Sequence, residues 1–419
     1  MTKNAPELRF EGFTDDWELR KFNEVLDYSV SNNTLPRAEL NYDNGIVKNI
    51  HYGDILTKFD YVVNIAEDDI PYITDGTLEE YNKNLLENGD VILADTAEDE
   101  TTGKAIEIAG ITDSFVVSGL HTLVARPNIK FASNYLGYYL NSSPYHNQLI
   151  KLMQGIKVLS ISKGNVAKTD IKYPRKINEQ NKIGSFFKQL DNTIVLHQRK
   201  LDLLKQLKQA YLQKMFPENG DKVPEIRFAG FDENWEQRKL GEESDVRDGT
   251  HDSPKYYNNG YPLVTSKNLK DSGLDLSDVS FISKEDFKSI IKRSKVDIGD
   301  ILFGMIGTIG NPVQVDRDDF AIKNVALIKE RKTLVNNFLI QVLKSPGFAR
   351  YIRNENAGGT QKFLSLSKVR DFEFLCPNIN EQKNISEFLK QLDDIITLHR
   401  EKNEALKKIK KAFLSKMFI

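Results

Sequence analysis

A chain of 419 residues is too long for one ordinary core, and at roughly 100–200 residues per domain it should fold as two to four. With 40% hydrophobic and 28% charged residues it is neither disordered nor fibrous, and no run approaches the roughly 18 apolar residues of a membrane span. Residues 1–7 lack the apolar stretch of a secretion signal, and the single Cys376 excludes internal disulfides and any cysteine-rich zinc site, so a reducing cytoplasm is the expected location. A net charge of -2 lacks the basic footprint of a protein that binds DNA unaided, so any nucleic-acid reading must rest on local charge or on a partner.

The chain opens on PELRFEGFTDDWELRKF at 6–22, which recurs as PEIRFAGFDENWEQRKL at 224–240 and places the only two tryptophans, Trp17 and Trp235, at equivalent positions. Residues 23–176 follow, with short apolar runs such as Val91–Ala94 between Gly, Asn and Asp clusters that read as strands of an irregular, β-rich α/β domain. Residues 177–216, INEQNKIGSFFKQLDNTIVLHQRKLDLLKQLKQAYLQKMF, recur at 379–418 as INEQKNISEFLKQLDDIITLHREKNEALKKIKKAFLSKMF. Between the second opening segment (217–240) and that second copy (379–419) lies another variable segment, 241–378. Its faint matches to the first are Pro262–Thr265 against Pro71–Thr74, Gly299-Asp300-Ile301-Leu302-Phe303 against Gly89-Asp90-Val91-Ile92-Leu93, and Leu364–Lys368 against Leu159–Lys163. Segments 134–140 and 336–343 read as short helices. Repeated frames thus hold two different inserts.

Each long repeat has Asn178 or Asn380 as its expected N-cap, a Glu suited to the positive helix end, no internal Pro, and, in the first copy, Pro217 as a stop. The 39 residues from Asn178 to Phe216 would make a rod of about 58 Å. Leu190, Ile194, His197, Leu201, Leu204, Lys208, Tyr211 and Met215 step alternately by three and four, as do Leu392, Ile396, His399, Asn403, Leu406, Lys410, Phe413 and Met417. The pattern predicts one antiparallel two-stranded coiled coil about a pseudo-two-fold axis. His197 and His399 read as seam residues that fix register. The Lys-rich strip (Arg199, Lys200, Lys205, Lys208, Lys214; Lys402, Lys407, Lys408, Lys410, Lys411) is either a solvated face or a phosphate-contacting one.

No Pro-Pro pair exists to build the Asp/Asn-Pro-Pro-aromatic loop of an amino-methyltransferase, and no GxxxxGK[ST] phosphate loop is present. The run Gly304-Met-Ile-Gly307-Thr-Ile-Gly310 has the wrong spacing for a dinucleotide cradle and reads as a turn beside a strand. What remains is a set of polar and aromatic loop residues of the kind that meet base edges and phosphates. In the second half these are Thr250, His251, Lys255, Tyr256, Tyr257, Ser266, Lys267, Asn268, Gln361 and Lys362; in the first, Thr74, Asp75, Thr77, Thr96, Lys157 and Lys163. For any single one, an ordinary surface role competes with base contact.

The repeated PE-[LI]-RF-x-GF-x3-WE-x-RK opening, the DGTHDSPKYYNNGYPLVTSKNL stretch at 248–269, the GDIL segment and the INEQ…LD…H…K…KMF helices together resemble the specificity subunits of type I restriction-modification enzymes, over the whole chain. The first variable segment departs from that pattern in lacking DGTH. The resemblance implies a mixed α/β fold: two β-rich target recognition domains joined by two long antiparallel helices, pseudo-two-fold symmetric. It further implies a non-catalytic reader of a bipartite double-stranded DNA target, with each recognition domain reading one half. The helices would set the spacing and dock two modification subunits that carry S-adenosylmethionine and methylate adenine. Motor-nuclease subunits using ATP and Mg are a further expected partner, while this chain itself is expected to hold no cofactor, metal or catalytic residue. The competing reading from another class is a duplicated protein-binding scaffold with a coiled-coil spacer.

Overall fold

The computed structural model describes residues 5–218, 220–271, 273–331, 333–355 and 363–419, so the expected base readers Gln361 and Lys362 lie outside the described residues. Two compact units divide the chain: one comprises residues up to Leu196 together with Lys402–Ile419, the other His197–Glu401. Each therefore contains part of both long helices, which run Ile177–Lys214 and Ile379–Lys416.

In the first unit, the Leu26–Asp27, Thr122–Pro127, Val91–Ala94, Ala105–Ala109 and Val62–Asn64 strands form one sheet in that order. A second sheet orders Phe115–Ser118, Val47–Ile50, Tyr72–Ile73 and Leu40–Asn41. The second unit has Asp245–Asp248, Val325–Lys329, Ile301–Gly304 and Gly310–Gln314 in one sheet, and Ser280–Ile282, Tyr261–Val264 and Ala321–Ile322 in the other. The two Gly-Asp motifs lead into corresponding strands, Val91–Ala94 and Ile301–Gly304, both wholly buried, which is why both are continuous apolar runs. The glycine-rich run after Phe303 is a hairpin: Ile301–Gly304 pairs antiparallel with Gly310–Gln314, and Gly307 and Gly310 take positive φ at the turn.

One predicted correspondence is overturned. Pro71–Thr74 does not match Pro262–Thr265, because Tyr72–Ile73 pairs only antiparallel, whereas Tyr261–Val264 has a parallel neighbour in Ala321–Ile322. The strand in the first unit with one parallel and one antiparallel neighbour is Val47–Ile50. Four residues of shared sequence are too few to fix a strand's place when its neighbours are set by segments far along the chain.

The duplicated frames meet. Strand Glu18–Lys21 pairs with Asp170–Tyr173, and Glu236–Lys239 with Glu373–Cys376, so each opening segment closes onto the residues that lead into a long helix. Arg9 then grips Glu179 through Nε and Nη2 at 2.6 and 2.8 Å, and Arg227 grips Glu381 at 2.7 and 2.8 Å. The Gln beside each Glu clamps the loop below: Gln180 Oε1 accepts from the Ala132 N–H, and Gln382 Oε1 from the Val335 N–H. The INEQ motif is thus a docking latch for the recognition domain. The expected caps need correction: Asn178 and Asn380 lie in the first helical turn, and the cap of the second helix is Asn378, whose Oδ1 accepts from the N–H groups of Asn380 and Glu381. Lys176, without an acceptor side chain, occupies the equivalent place in the first.

Within each unit the helical segments run antiparallel. In the first, Phe186 meets Phe413 edge-on at 5.1 Å and Asp191 pairs with Lys410 at 2.5 Å. In the second, Tyr211 meets Phe388 at 4.9 Å, Lys208 pairs with Asp393 at 2.5 Å, and the His197 and His399 Nδ1 atoms face each other at 3.0 Å, as seam residues should. Lys208 and Lys410 therefore belong to the seam and not to a solvated strip. Each unit's main core joins this seam to its recognition domain: Phe187, Leu414 and Phe418 pack with Tyr135 and Tyr139 in one, Leu212, Met215 and Leu389 with Phe338 and Phe303 in the other. No helix among the described residues is long and apolar enough to cross a membrane.

Candidate nucleic-acid interface

In the second unit the strand Asp245–Asp248 runs into Gly249 and Thr250, and the Thr250 N–H donates to the Ile322 carbonyl at 3.0 Å. This fixes the exposed His251 ring between two oxygens: Nδ1 lies 2.9 Å from Asn324 Oδ1 and Nε2 lies 2.9 Å from Asp248 Oδ2. Because both ring nitrogens face acceptors, Asn324 first and Asp248 second, His251 is held above the ordinary histidine value. Asp248 also receives the Arg293 guanidinium, and Lys323 Nζ donates to Ser253 Oγ at 2.6 Å. Thr250, His251, Ser253, Asp286 and Arg293 line an open cleft of about 420 Å³. Asn324 adopts φ 56°, a left-handed conformation in which a short polar side chain is among the best tolerated, and that turn aims its amide at His251.

Lys255, Tyr256 and Tyr257 are exposed beside this loop, with Lys255 Nζ 5.6 Å from the Tyr257 ring centre. Ser266, Lys267 and Asn268 form one short turn, yet only Lys267 faces outward, where it meets Asp278 at 3.1 Å. Asn268 is buried and saturated: its Oδ1 accepts from the Thr265 N–H and its Nδ2 donates to the Asp275 and Asp278 carbonyls. Ser266 is buried beneath it. These two shape the loop that presents Lys267.

In the first unit Thr74, Asp75 and Thr77 share one exposed turn, in which Thr74 Oγ1 accepts from Asn41 Nδ2 and Asp75 takes φ 56°. Thr96 is half-buried and donates to Asp95 Oδ1, on a strand paired with Leu159–Ser160. Lys157 is exposed in the connection closed by the Gln154–Ser160 bridge, next to the almost fully exposed Ile156, and Lys163 lies 5.6 Å over the Tyr28 ring. The structure thus gathers Thr96, Lys157 and Lys163 around one strand pair and leaves the Thr74 turn on the other sheet.

Several residues escaped the sequence reading. With Val47–Ile50 matching Tyr261–Val264, the first-unit counterpart of the Ser266–Asn268 turn is the start of helix Tyr52–Thr57, capped by His51, whose Nδ1 accepts from the Gly53 N–H. His51, Tyr52 and His121 form a chain of ring contacts, tilted at 4.6 Å and then edge-on at 5.3 Å between centroids, and His121 reaches Asp95 at 3.3 Å. His121, at φ 55° just after Phe115–Ser118, occupies the turn that Asn324 occupies after Ala321–Ile322. Burial lowers the His51 value. Spacing from the Gly-Asp motifs does not give this match, since Val47 lies 42 residues before Gly89 and Tyr261 only 38 before Gly299; strand pairing does. Among the described residues no group of three or more His, Cys, Asp or Glu side chains is placed to hold a metal.

Both frames and both recognition domains match the family described as the type I restriction modification DNA specificity domain, over residues 14–206 and again over 232–408. The chain belongs to that family. Across 96% of this specificity subunit and 92% of the other chain, it is 25% identical to a Methanocaldococcus jannaschii protein provisionally named the MjaX type I restriction enzyme specificity subunit. It is 31% identical over 137 residues, 32% of this chain and 28% of the other, to the EcoBI specificity subunit of Escherichia coli. The crystal structure of a type I S subunit from M. genitalium superposes with a TM-score of 0.63 at 13% identity, covering 99% of both chains. A structure from a study of complex assembly and conformational transition of the type I system superposes at 0.54 with 18% identity, covering 95% of this chain and 96% of that one. The specificity subunit thus has two repeated domains of mixed helix and sheet, with DNA recognition as its role.

Proposed function

We propose that each recognition domain of this specificity subunit reads one half of a bipartite DNA target and contributes no catalytic group of its own. The observation that carries this is the pairing of matching Arg–Glu latches with different surfaces. Arg9–Glu179 and Arg227–Glu381 hold the two domains by the same ion pair, whereas the loops they present are the His51–Tyr52–His121 ring cluster in one and the Asp248–His251–Asn324–Arg293 cluster in the other. Thr250, His251, Lys255, Tyr256, Tyr257 and Lys267 meet bases and phosphates in the second half; Thr74, Asp75, Thr77, Thr96, Lys157 and Lys163 do so in the first. S-adenosylmethionine belongs to two partner modification subunits, and ATP and Mg to motor-nuclease subunits where these join. Shared phosphate contacts with such partners reconcile DNA binding with a net charge of -2.

Replacing residues 241–378 with another recognition domain is expected to change one half of the methylated sequence and leave the other untouched, as read by methylation-aware sequencing. A swap that altered both halves, or neither, would refute the two-reader arrangement. The long helices are proposed to set the gap between half-sites. Four residues inserted after Lys200 add about 6 Å of helix, close to two base-pair steps of about 3.4 Å. The expected result is a gap longer by one or two base pairs, or loss of methylation, with the bases read in each half unchanged; full activity at the original gap would reduce the helices to a passive linker.

A further inference from the structure

The two seam ion pairs occupy equivalent positions but differ in what covers them. In the first unit the Lys410–Asp191 pair is sealed. Tyr138 Oη donates to Asp191 at 2.8 Å, the Tyr61 ring centre lies 4.4 Å from Lys410 Nζ, and Asp60 approaches at 3.6 Å. One turn on, Asn141 Nδ2 and Oδ1 are satisfied by the Ala105 backbone. In the second unit the helix Asn336–Lys344 carries Gln341 and Lys344 at the places of Tyr138 and Asn141. Gln341, only 3% exposed, has its Nε2 3.5 Å from Asp393 and its Oε1 buried without a partner among the described residues. No aromatic ring covers Lys208 among the described residues, and a cleft of about 280 Å³ opens on the Asp393 side of the pair, where that carboxylate is 33% exposed against 8% for Asp191; it is walled by Gln341, Lys344, Asp393, Lys390, Arg400 and Lys270.

The charges in this cleft do not balance. Lys208 is matched by Asp393 and Lys390 by Asp394. That leaves Lys344, Lys270 and Arg400 without an ion pair among the described residues, against the single remaining carboxylate of Asp271. Burial, and then the neighbouring Lys208, depress the Lys344 value. A half-buried ammonium with no ion pair of its own costs stability, so it persists most readily where a ligand supplies the missing charge. The cleft also adjoins the reading loop, since the Ser266–Asn268 turn runs directly into strand Leu269–Lys270 at its rim.

We propose that this cleft seats a backbone phosphate of the bound duplex, with Lys344 as the deep cation and Lys270 and Arg400 at the mouth. The first recognition domain, its equivalent space filled by Tyr61 and Tyr138, lacks such an anchor. The proposal rests on the reading of the chain as a DNA-recognition subunit. A phosphate contact positions the duplex without selecting bases, so the anchor strengthens the hold on the second half-site and leaves its sequence unchanged.

The test uses the specificity subunit co-purified with its methyltransferase partner, titrated on target and unrelated duplexes between about 50 and 200 mM salt, the interval over which phosphate contacts dominate the change in affinity. Lys344→Gln is expected to weaken binding roughly tenfold on both duplexes and to make the log-affinity against log-salt slope shallower by about 1. Lys344→Arg should retain most of the affinity. The Lys344→Gln complex should melt no lower than wild type, because the variant loses a half-buried charge that has no ion pair among the described residues. If the wild-type complex binds its target and Lys344→Gln keeps the same affinity and slope, the anchor is refuted while the DNA-reader function stands. A variant that sheds the methyltransferase subunit with an unchanged slope assigns the cleft to a protein contact and overturns the proposal. So does joint failure of Lys344→Gln and Lys344→Arg with a lowered melting temperature, which makes Lys344 structural. A wild-type complex with no DNA affinity at all would remove the functional reading itself, and the anchor with it.

Discussion

Replacing Arg227 with Ala is expected to destabilise the His197–Glu401 unit by about 3–5 kcal/mol, the range for removing one partner of a buried ion pair. Glu381 is 0% exposed, and among the described residues both of its carboxylate oxygens are held by Arg227 alone. The variant therefore leaves a fully buried, uncompensated charge. Arg9→Ala in the other unit should cost less, because Trp17 Nε1 also donates to Glu179, at 3.3 Å, whereas the indole N–H of Trp235 has no partner among the described residues. Denaturant unfolding followed by tryptophan fluorescence checks both, since each unit contains one of the two tryptophans. Replacing Arg227 and Glu381 together by Met should restore much of the loss, because a well-packed apolar pair carries no desolvation cost. A single Arg227→Ala change costing under about 1 kcal/mol, the scale of an exposed pair, would show that the latch contributes little to holding the recognition domain.

The second large effect depends on pH. Glu107 is buried on strand Ala105–Ala109 beneath the start of helix Tyr135–Leu140, where its oxygens accept from the N–H groups of Asn134 at 2.6 Å and Gly137 at 2.9 Å. Burial outweighs these donors and pushes the carboxyl up from 4.5 to about 7. Below pH 4.5 the folded and unfolded chains both hold the proton and this group takes nothing from stability. Between 4.5 and about 7 only the folded chain holds it, so stability falls as pH rises through that window and levels off above it. The loss is on the order of 3 kcal/mol by linkage. Glu107→Gln, which cannot ionise, should start lower because its amide nitrogen cannot accept an N–H. It should nevertheless lose about 2.5 kcal/mol less than wild type between pH 5 and pH 8, part of the effect having already occurred below pH 5. Unfolding followed through Trp17 in a Trp235→Phe background isolates the relevant unit. Parallel pH profiles for the two proteins would show that the carboxylate is already ionised at pH 5.

What the sequence determined by itself was the duplicated organisation. Two 40-residue segments sharing apolar spacing, a seam His and a seam Lys can pair in few ways, and the alternating three-and-four step already put His197 and His399 in the seam; that the two face each other, and that Lys208 and Lys410 are held there by Asp393 and Asp191 and not on a solvated strip, came from the packing. The Gly-Asp motifs likewise located the central buried strands, because an apolar run bounded by turn residues is a local signal. Only the tertiary structure decided which loop residues face outward. Lys267 and Asn268 are adjacent and both polar, yet one is exposed and the other is consumed by hydrogen bonds to carbonyls seven and ten residues away. The latch partners Arg9 and Glu179 are 170 residues apart, and nothing in either motif names the other. The equivalence of His51 with the Thr265 turn, and the uncompensated Lys344 beside Lys208, depend on strand neighbours and on a cavity formed by segments distant in the chain. Periodicity is written residue by residue, whereas exposure and charge balance are properties of what packs alongside.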